Sequence, residues 1–141
     1  VQTSNLKISS GLITSLPNKL RSAQTVFEYT GGLHASAIFS ATGEVLLMRE
    51  DVGRHNALDK VVGACLFKEE IPLNQHILLV SGRTSFELVQ KAARAGLVMV
   101  LAIGAPSSLA VELAKKQGIT LIGFLKANSF NVYSHPERII D

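Results

Sequence analysis

Arg83 is the residue whose position most demands a partner. It lies in Ser81-Gly82-Arg83-Thr84-Ser85, directly ahead of a segment with helical periodicity. A permanently charged guanidinium at the positive end of a helix is unfavourable unless an anion lies between them, so the pattern points to anion binding. Ser81 and Gly82 suit either a tight turn or the close approach of backbone to a ligand. Thr84 and Glu87 match a capping box, in which hydroxyl and carboxylate satisfy the first free helix amides. A second group of residues is Asp51-Val52-Gly53-Arg54-His55. Asp51 and Arg54 flank the turn at Gly53, where they either pair with each other or face a ligand. His55 either continues a buried helical stripe or handles a ligand or proton, with Asp59 within reach one turn on. His34, which opens a strand-forming run, has the same two readings. His55 and Asp59 with Asp51 would suit acid–base hydrolysis, but no nucleophile or metal set accompanies them.

Cys65 falls at helical spacing from Leu58, Val61 and Val62, which predicts a buried structural thiol. One cysteine makes neither an internal disulfide nor a C-x-x-C pair. The phosphate-binding patterns G-x-x-x-x-G-K-[ST] and G-x-G-x-x-G are absent, so neither a P-loop NTPase nor a dinucleotide-dependent dehydrogenase is supported. With 141 residues, 47% hydrophobic, and a mean hydropathy of +0.28, the chain suffices for one core and reads as a single domain over 1–141. The net charge of +3 comes without a basic run, which predicts no nucleic-acid partner. No apolar stretch approaches a membrane span and no signal peptide opens the chain, so the expectation is a cytoplasmic protein without membrane insertion. His76 and His135 read as surface residues.

The elements that position these residues follow from periodicity. Leu16 to Phe27 predicts a helix, stopped by Gly31-Gly32. His34 to Ala41 and Glu44 to Arg49 predict an antiparallel hairpin about Thr42-Gly43. Asn56 to Phe67 predicts a second helix. Beyond Pro72 the chain alternates: strand Ile77 to Val80, helix Thr84 to Ala95, strand Val98 to Ile103, helix Ser108 to Gln117, strand Leu121 to Leu125. The tail from Lys126 reads as a loop with one short strand around Asn131 to Tyr133. Short apolar strands separated by helices imply parallel pairing. The expected fold is a three-layer α/β/α sandwich on a mixed five-stranded sheet. In such sheets ligands bind beyond the carboxyl ends of the parallel strands. Segments 30–34, 50–56, 81–85, 104–108 and 124–129 converge on that edge and make one crevice.

This order of elements is that of the cytidine deaminase-like fold, whose catalytic members carry H-x-E and P-C-x-x-C at the starts of two helices. Here those places read His55-Asn56-Ala57 and Ser81-Gly82-Arg83-Thr84-Ser85. The general acid–base glutamate and both thiolates are missing, which argues against zinc-dependent deamination. A deaminase-shaped pocket refitted with cations and backbone donors suits binding a nucleotide.

The segments YTGGLHASAIF, GEVLLMREDVGRHNALDKVVGA, LVSGRTSFELVQKAARAG, APSSLAVELAKKQGITLIGFLK and FNVYSHPERI closely resemble the formate dehydrogenase accessory sulfurtransferase (FdhD/NarQ-type) family, and cover nearly everything from Tyr29 to Ile139. The resemblance implies a protein that takes sulfur from a cysteine desulfurase and passes it to molybdenum bis(molybdopterin guanine dinucleotide) for apo formate dehydrogenase. It also implies a homodimer. The family's sulfur carriers are a C-x-x-C pair ahead of the region seen here. This chain has no such pair and opens on Val1, so it is expected to be the C-terminal, cofactor-binding part of a longer protein and not catalytic alone. The alternative is a non-catalytic chaperone for a guanine nucleotide or the molybdenum cofactor, for which GDP would serve as an analogue. On this reading pyrophosphates suit the N-termini after Gly53, Gly82 and Pro106, with Arg54, His55, Arg83, Ser85 and Ser107 at hand. Guanine edges and faces suit His34, Asp51, Phe86, Phe124 and Asn128. The resemblance adds the loop leaving the last strand, Phe124-Leu125-Lys126-Ala127-Asn128-Ser129. Family members commonly carry Gly and Arg there, where this sequence has Ala127, Asn128 and Ser129.

Overall fold

The computed structural model describes residues 4–26, 34–51, 59–60, 63 and 73–141. The second expected helix and Cys65 lie outside the described residues, although Asp59, Lys60 and Gly63 are helical. The elements with described bounds are eight strands, three α-helices and a 3-10 turn at Pro136–Arg138: β1 (Ile8–Ser9), α1 (Ser10–Val26), β2 (His34–Ser40), β3 (Val45–Asp51), β4 (His76–Val80), α2 (Phe86–Arg94), β5 (Met99–Ala102), α3 (Ser108–Gln117), β6 (Thr120–Gly123), β7 (Asn131–Ser134) and β8 (Ile139–Ile140).

The main sheet has the order β3-β2-β4-β5-β6-β7. β2 pairs antiparallel with both β3 and β4, whereas β4, β5 and β6 run parallel. Both faces of the central strands are covered, and their residues divide by parity. Ile77, Leu79 and Leu101 pack with Ile13, Leu16 and Leu20 of α1. Leu78, Val80, Val100 and Leu121 pack with Leu88, Val89 and Ala92 of α2 and Ala110 and Ala114 of α3. Burial on both sides explains why these strands read as continuous apolar runs. The arrangement is the expected three-layer sandwich.

The sheet has six strands rather than five. β7 joins antiparallel to β6, with Gly123 opposite Asn131 and Leu121 opposite Ser134. β7 is the short strand expected around Asn131 to Tyr133; its place in the main sheet was not legible, because side chain–backbone bonds hold it there. The Ser134 hydroxyl accepts from the Leu121 amide at 3.1 Å and donates to the Ile119 carbonyl at 2.7 Å. Farther along the tail, buried Arg138 donates through Nη1 to the Gly118 carbonyl at 2.7 Å and the Thr120 hydroxyl at 3.0 Å. β8 then pairs parallel with β1.

α1 also begins earlier than Leu16. The Ser9 hydroxyl caps it by accepting from the Leu12 amide at 3.1 Å, and Ile13 adds a buried turn ahead of Leu16. Pro17 sits inside the helix, where the burial of Ile13, Leu16 and Leu20 offsets one missing intrahelical bond. The β2–β3 hairpin turns through Gly43 at φ +88°, and Lys19 of α1 donates to its carbonyl at 2.7 Å. His76 and His135 are half-buried at the surface.

Candidate functional site

The carboxyl ends of β4, β5 and β6 are stitched together beyond the strands themselves. The Gly104 amide donates to the Gly82 carbonyl, and the Phe124 amide to the Gly104 carbonyl, both at 3.0 Å. Close approach excludes side chains here. A Cβ on Gly104 would lie 2.9 Å from the Gly82 oxygen, and one on Gly123 would lie 2.8 Å from Pro106 Cδ. The result is a floor of bare backbone along one edge. Strand order sets the sequence across it: His34 at the start of β2, then Gly82, Gly104 and Phe124. At ~4.8 Å per strand this row spans roughly 14 Å.

His34 borders the floor, since a Cβ on Gly82 would lie 3.3 Å from His34 Nδ1. Asp51 is the last residue of β3 and faces His34 in register. Ser81 serves the sheet: its hydroxyl accepts from the Ala35 amide at 2.9 Å, and its amide donates to the Ala35 carbonyl at 3.0 Å. Asp59, considered as an acid–base group, is held in an exposed pair with Lys91 at 3.2 Å. Arg54 and His55 lie outside the described residues.

The N-termini of α2 and α3 open side by side on this edge. The Thr84 amide donates to the Ala105 carbonyl at 3.2 Å and the Ser107 amide to the Thr84 carbonyl at 3.0 Å, so Thr84 and Pro106 form a parallel bridge. Arg83, Thr84, Ser85, Ala105, Pro106 and Ser107 line a pocket of about 270 Å³ between the two helices. The capping box expected at Thr84 is displaced by one residue. Ser85 is the N-cap of α2, accepting from the Leu88 amide at 3.1 Å, and Ser107 caps α3 in the same way through the Ala110 amide at 3.1 Å. The bridge to Pro106 holds Thr84 in extended backbone and forces the helix to start after it. Arg83 is exposed and has no hydrogen bond or ion pair among the described residues.

The loop leaving β6 begins abruptly. Phe124 adopts φ +51° and is 44% exposed, while Leu125 returns to the α1-side core. The Lys126 amide donates to the Ser129 carbonyl at 2.9 Å, so Ala127 and Asn128 form the exposed tip of a turn. Phe86, at the first position of α2, is also exposed. Sequence reasoning placed Arg83, Ser85 and Ser107 at one edge but missed Thr84 and Pro106 as pocket residues. The signal was present as two matching segments, Gly82-Arg83-Thr84-Ser85 and Gly104-Ala105-Pro106-Ser107, each opening a helix.

Comparison with known proteins agrees with this architecture. The chain is 53% identical over 136 residues to the sulfur carrier protein FdhD of Sulfolobus acidocaldarius, covering 96% of this chain and 54% of that protein. It is 54% identical over 137 residues to the protein of that name from Streptomyces avermitilis, covering 97% and 49%. The chain thus spans about half the length of the curated relatives it matches. A crystal structure from Desulfotalea psychrophila, assigned as a formate dehydrogenase accessory protein, superposes with a TM-score of 0.89 at 30% identity, over 99% of this chain and 62% of that one. A guanine deaminase from Nitrosomonas europaea has the same fold, with a TM-score of 0.60 at 11% identity over 88% of this chain and 81% of that one. The FdhD/NarQ family model matches residues 1–140, and the chain belongs to that family.

Proposed function

We propose that this chain is the cargo-holding part of a sulfur carrier in formate dehydrogenase maturation, and that its crevice takes molybdenum bis(molybdopterin guanine dinucleotide). Relatives named as sulfur carriers and a structure assigned as a formate dehydrogenase accessory protein support the class of activity. The observation that carries the cargo reading is the bare backbone floor through Gly82 and Gly104, with His34 and Phe124 at its two ends. An edge of that length, open to backbone approach, suits an extended ligand better than a single ring. His34 supplies hydrogen-bonding nitrogens for a guanine edge, Phe124 a flat apolar face, and Arg83 a charge for phosphate oxygens. The bound cargo supplies the molybdenum centre that is to be sulfurated; this chain's residues bind it and orient it.

Cys65 is the chain's single thiol, so a C-x-x-C relay is not among these 141 residues. Sulfur delivery from a cysteine desulfurase, hand-over to apo formate dehydrogenase and a homodimeric assembly are proposed for the whole protein. The single cysteine also favours a second reading, a molybdenum-cofactor chaperone without covalent chemistry. Mass spectrometry of the whole protein after incubation with a cysteine desulfurase and cysteine separates the two: a gain of sulfur supports the carrier, and its absence with cargo binding intact supports the chaperone.

The cargo reading itself is tested by calorimetric titration of the chain with GDP, with ADP and GMP as controls. Saturable binding of GDP that exceeds both controls is expected. Failure of all three to bind a folded sample overturns the assignment of the cargo to this crevice.

A further inference from the structure

The tail from Asn131 to Ile140 has short ladders and is held to the body largely by side chains. β7 carries one extra residue, Tyr133, between Val132 opposite Ile122 and Ser134 opposite Leu121, and β8 meets β1 over two residues. Between these strands the chain turns at His135, whose backbone is left-handed at φ +45°, a conformation unfavourable for a residue with a Cβ. The imidazole of His135 spans two elements. Its Nε2 lies 2.8 Å from the Lys115 carbonyl in the last turn of α3, and its Nδ1 lies 2.9 Å from Oε1 of Glu137. The Gly118 and Ile119 amides that close α3 both donate to the Ala114 carbonyl, so the ring serves a helix-end carbonyl that the cap does not use.

Both partners of the ring are acceptors. A carbonyl oxygen has no proton to give. The Glu137 carboxyl, held below its usual range first by its own backbone amide and then by His135, is an anion at neutral pH. The two bonds therefore exist together only when both ring nitrogens carry protons, in the imidazolium form. A neutral ring keeps one bond and turns a lone pair towards the other acceptor. The negative end of α3 and the Glu137 carboxylate favour the charge. Against it stand Lys115, whose side chain lines the same cavity, and Arg138 and Lys7, which donate to the Gly118 and Glu137 carbonyls. Tyr133 is the remaining titratable side chain lining that cavity, and Thr120 of β6 donates to the His135 carbonyl rather than to the ring. Among the described residues, the two acceptors are the groups hydrogen-bonded to the imidazole.

We propose that His135 is a proton-operated latch, which as imidazolium fastens the tail to the end of α3 and on losing its proton releases one of the two fastenings. Because the closed tail holds the protonated ring, the tail is most secure while histidine is charged and loosens as pH rises across the range where histidine loses its charge. The effect reaches the end of β6. Tyr133 packs there, since a Cβ on Gly123 would lie 3.0 Å from its ring, and opening the tail draws that ring away.

The test is hydrogen exchange of the chain by NMR at about pH 5.5 and about pH 8.5, on either side of the histidine range, corrected for the intrinsic pH dependence of exchange. The Leu121 amide, which donates to the Ser134 hydroxyl, reports on the tail, and the amides pairing β4 with β5 serve as the reference. Relative to that reference, protection of the tail should fall about threefold at the higher pH, as suits one exposed charge-assisted bond. His135→Gln has no proton to lose and should show no such fall. Glu137→Gln, at an exposed position, donates from its amide to the neutral ring, so both bonds survive at high pH and protection should stay at the parent's low-pH level. A histidine that acts by packing alone would leave the parent's protection equal at both pH values, and that result overturns the latch. A parent-like fall in either variant also overturns it, and Glu137→Gln keeps the test decisive if His135→Gln fails to fold.

Discussion

The Gly104 amide donates to the Gly82 carbonyl at 3.0 Å, and a Cβ on Gly104 would sit 2.9 Å from that same oxygen. The contact joins the ends of β4 and β5 where the crevice floor lies, and its near neighbour is backbone that cannot swing aside. Gly104→Ala should therefore destabilise the chain by about 1–3 kcal/mol. Gly11→Ala is the matched control, because nothing lies within 4 Å of a Cβ there and the position is helical. It should stabilise by about 0.5–1 kcal/mol. Equilibrium denaturation of both variants checks the pair; equal effects would show that the close approach at Gly104 carries no strain.

Phe124 holds a left-handed backbone conformation at φ +51° while its ring is 44% exposed. That conformation costs a non-glycine residue about 1–2 kcal/mol, against about 0.5–1 kcal/mol for the extra freedom a glycine loses on folding. Phe124→Gly should thus be no less stable than the parent in urea denaturation, while GDP affinity falls. A marked loss of stability would mean that the ring packs as part of the core.

Arg138 is buried and faces carbonyls and a hydroxyl rather than a carboxylate, with bonds to the Gly118 and Val98 oxygens and to Thr120. Burial lowers its pKa from the ordinary guanidinium value, and the negative end of α3 at Gly118 favours the charge. Arg138→Met leaves those acceptors unpaired and should cost about 2–4 kcal/mol. Thermal unfolding measures it, and a loss below about 1 kcal/mol would mean that water replaces the guanidinium.

Glu137 is exposed, and a hydrogen bond from its own backbone amide, followed by one with the His135 imidazole at 2.9 Å, holds its carboxyl below the usual range. A depressed folded-state pKa gives stability that is present above the unfolded value and is lost as pH falls through the folded one. Solvent screening keeps that contribution small. NMR titration should find the lowered value directly. His135→Gln should raise it only part of the way, since the backbone bond is the larger cause; complete return to the ordinary value would reverse that order.

Periodicity made much of the fold legible. Leu78 and Val80 against Ile77 and Leu79 read as strand because both faces are apolar, and Ser108 to Gln117 matches α3 residue for residue. Errors fell where tertiary bonds override local preference. Thr84 reads as a cap until its bridge to Pro106 passes that role to Ser85. β7 reads as a short strand around Asn131 to Tyr133, but its place in the main sheet was not legible, because that pairing depends on Ser134 and on an available edge at β6. Of the candidate site, the charge of Arg83 and the approximate helix starts at Thr84 and Ser108 were readable, since charge and helical period are local properties, whereas the cap's move to Ser85 was not.

The sequence by itself determined the family, the layered architecture and the edge at which Arg83 and the helix N-termini collect, because motif identity, burial period and helix periodicity are written in neighbouring residues. Only the tertiary structure decided that two G-x-x-S turns lie side by side, that three strand ends admit no Cβ between them, and that the Thr84 hydroxyl is buried without a partner among the described residues. Those relations join residues far apart in the chain, and they exist only once β4, β5 and β6 have been brought into register by the burial of both faces of the sheet.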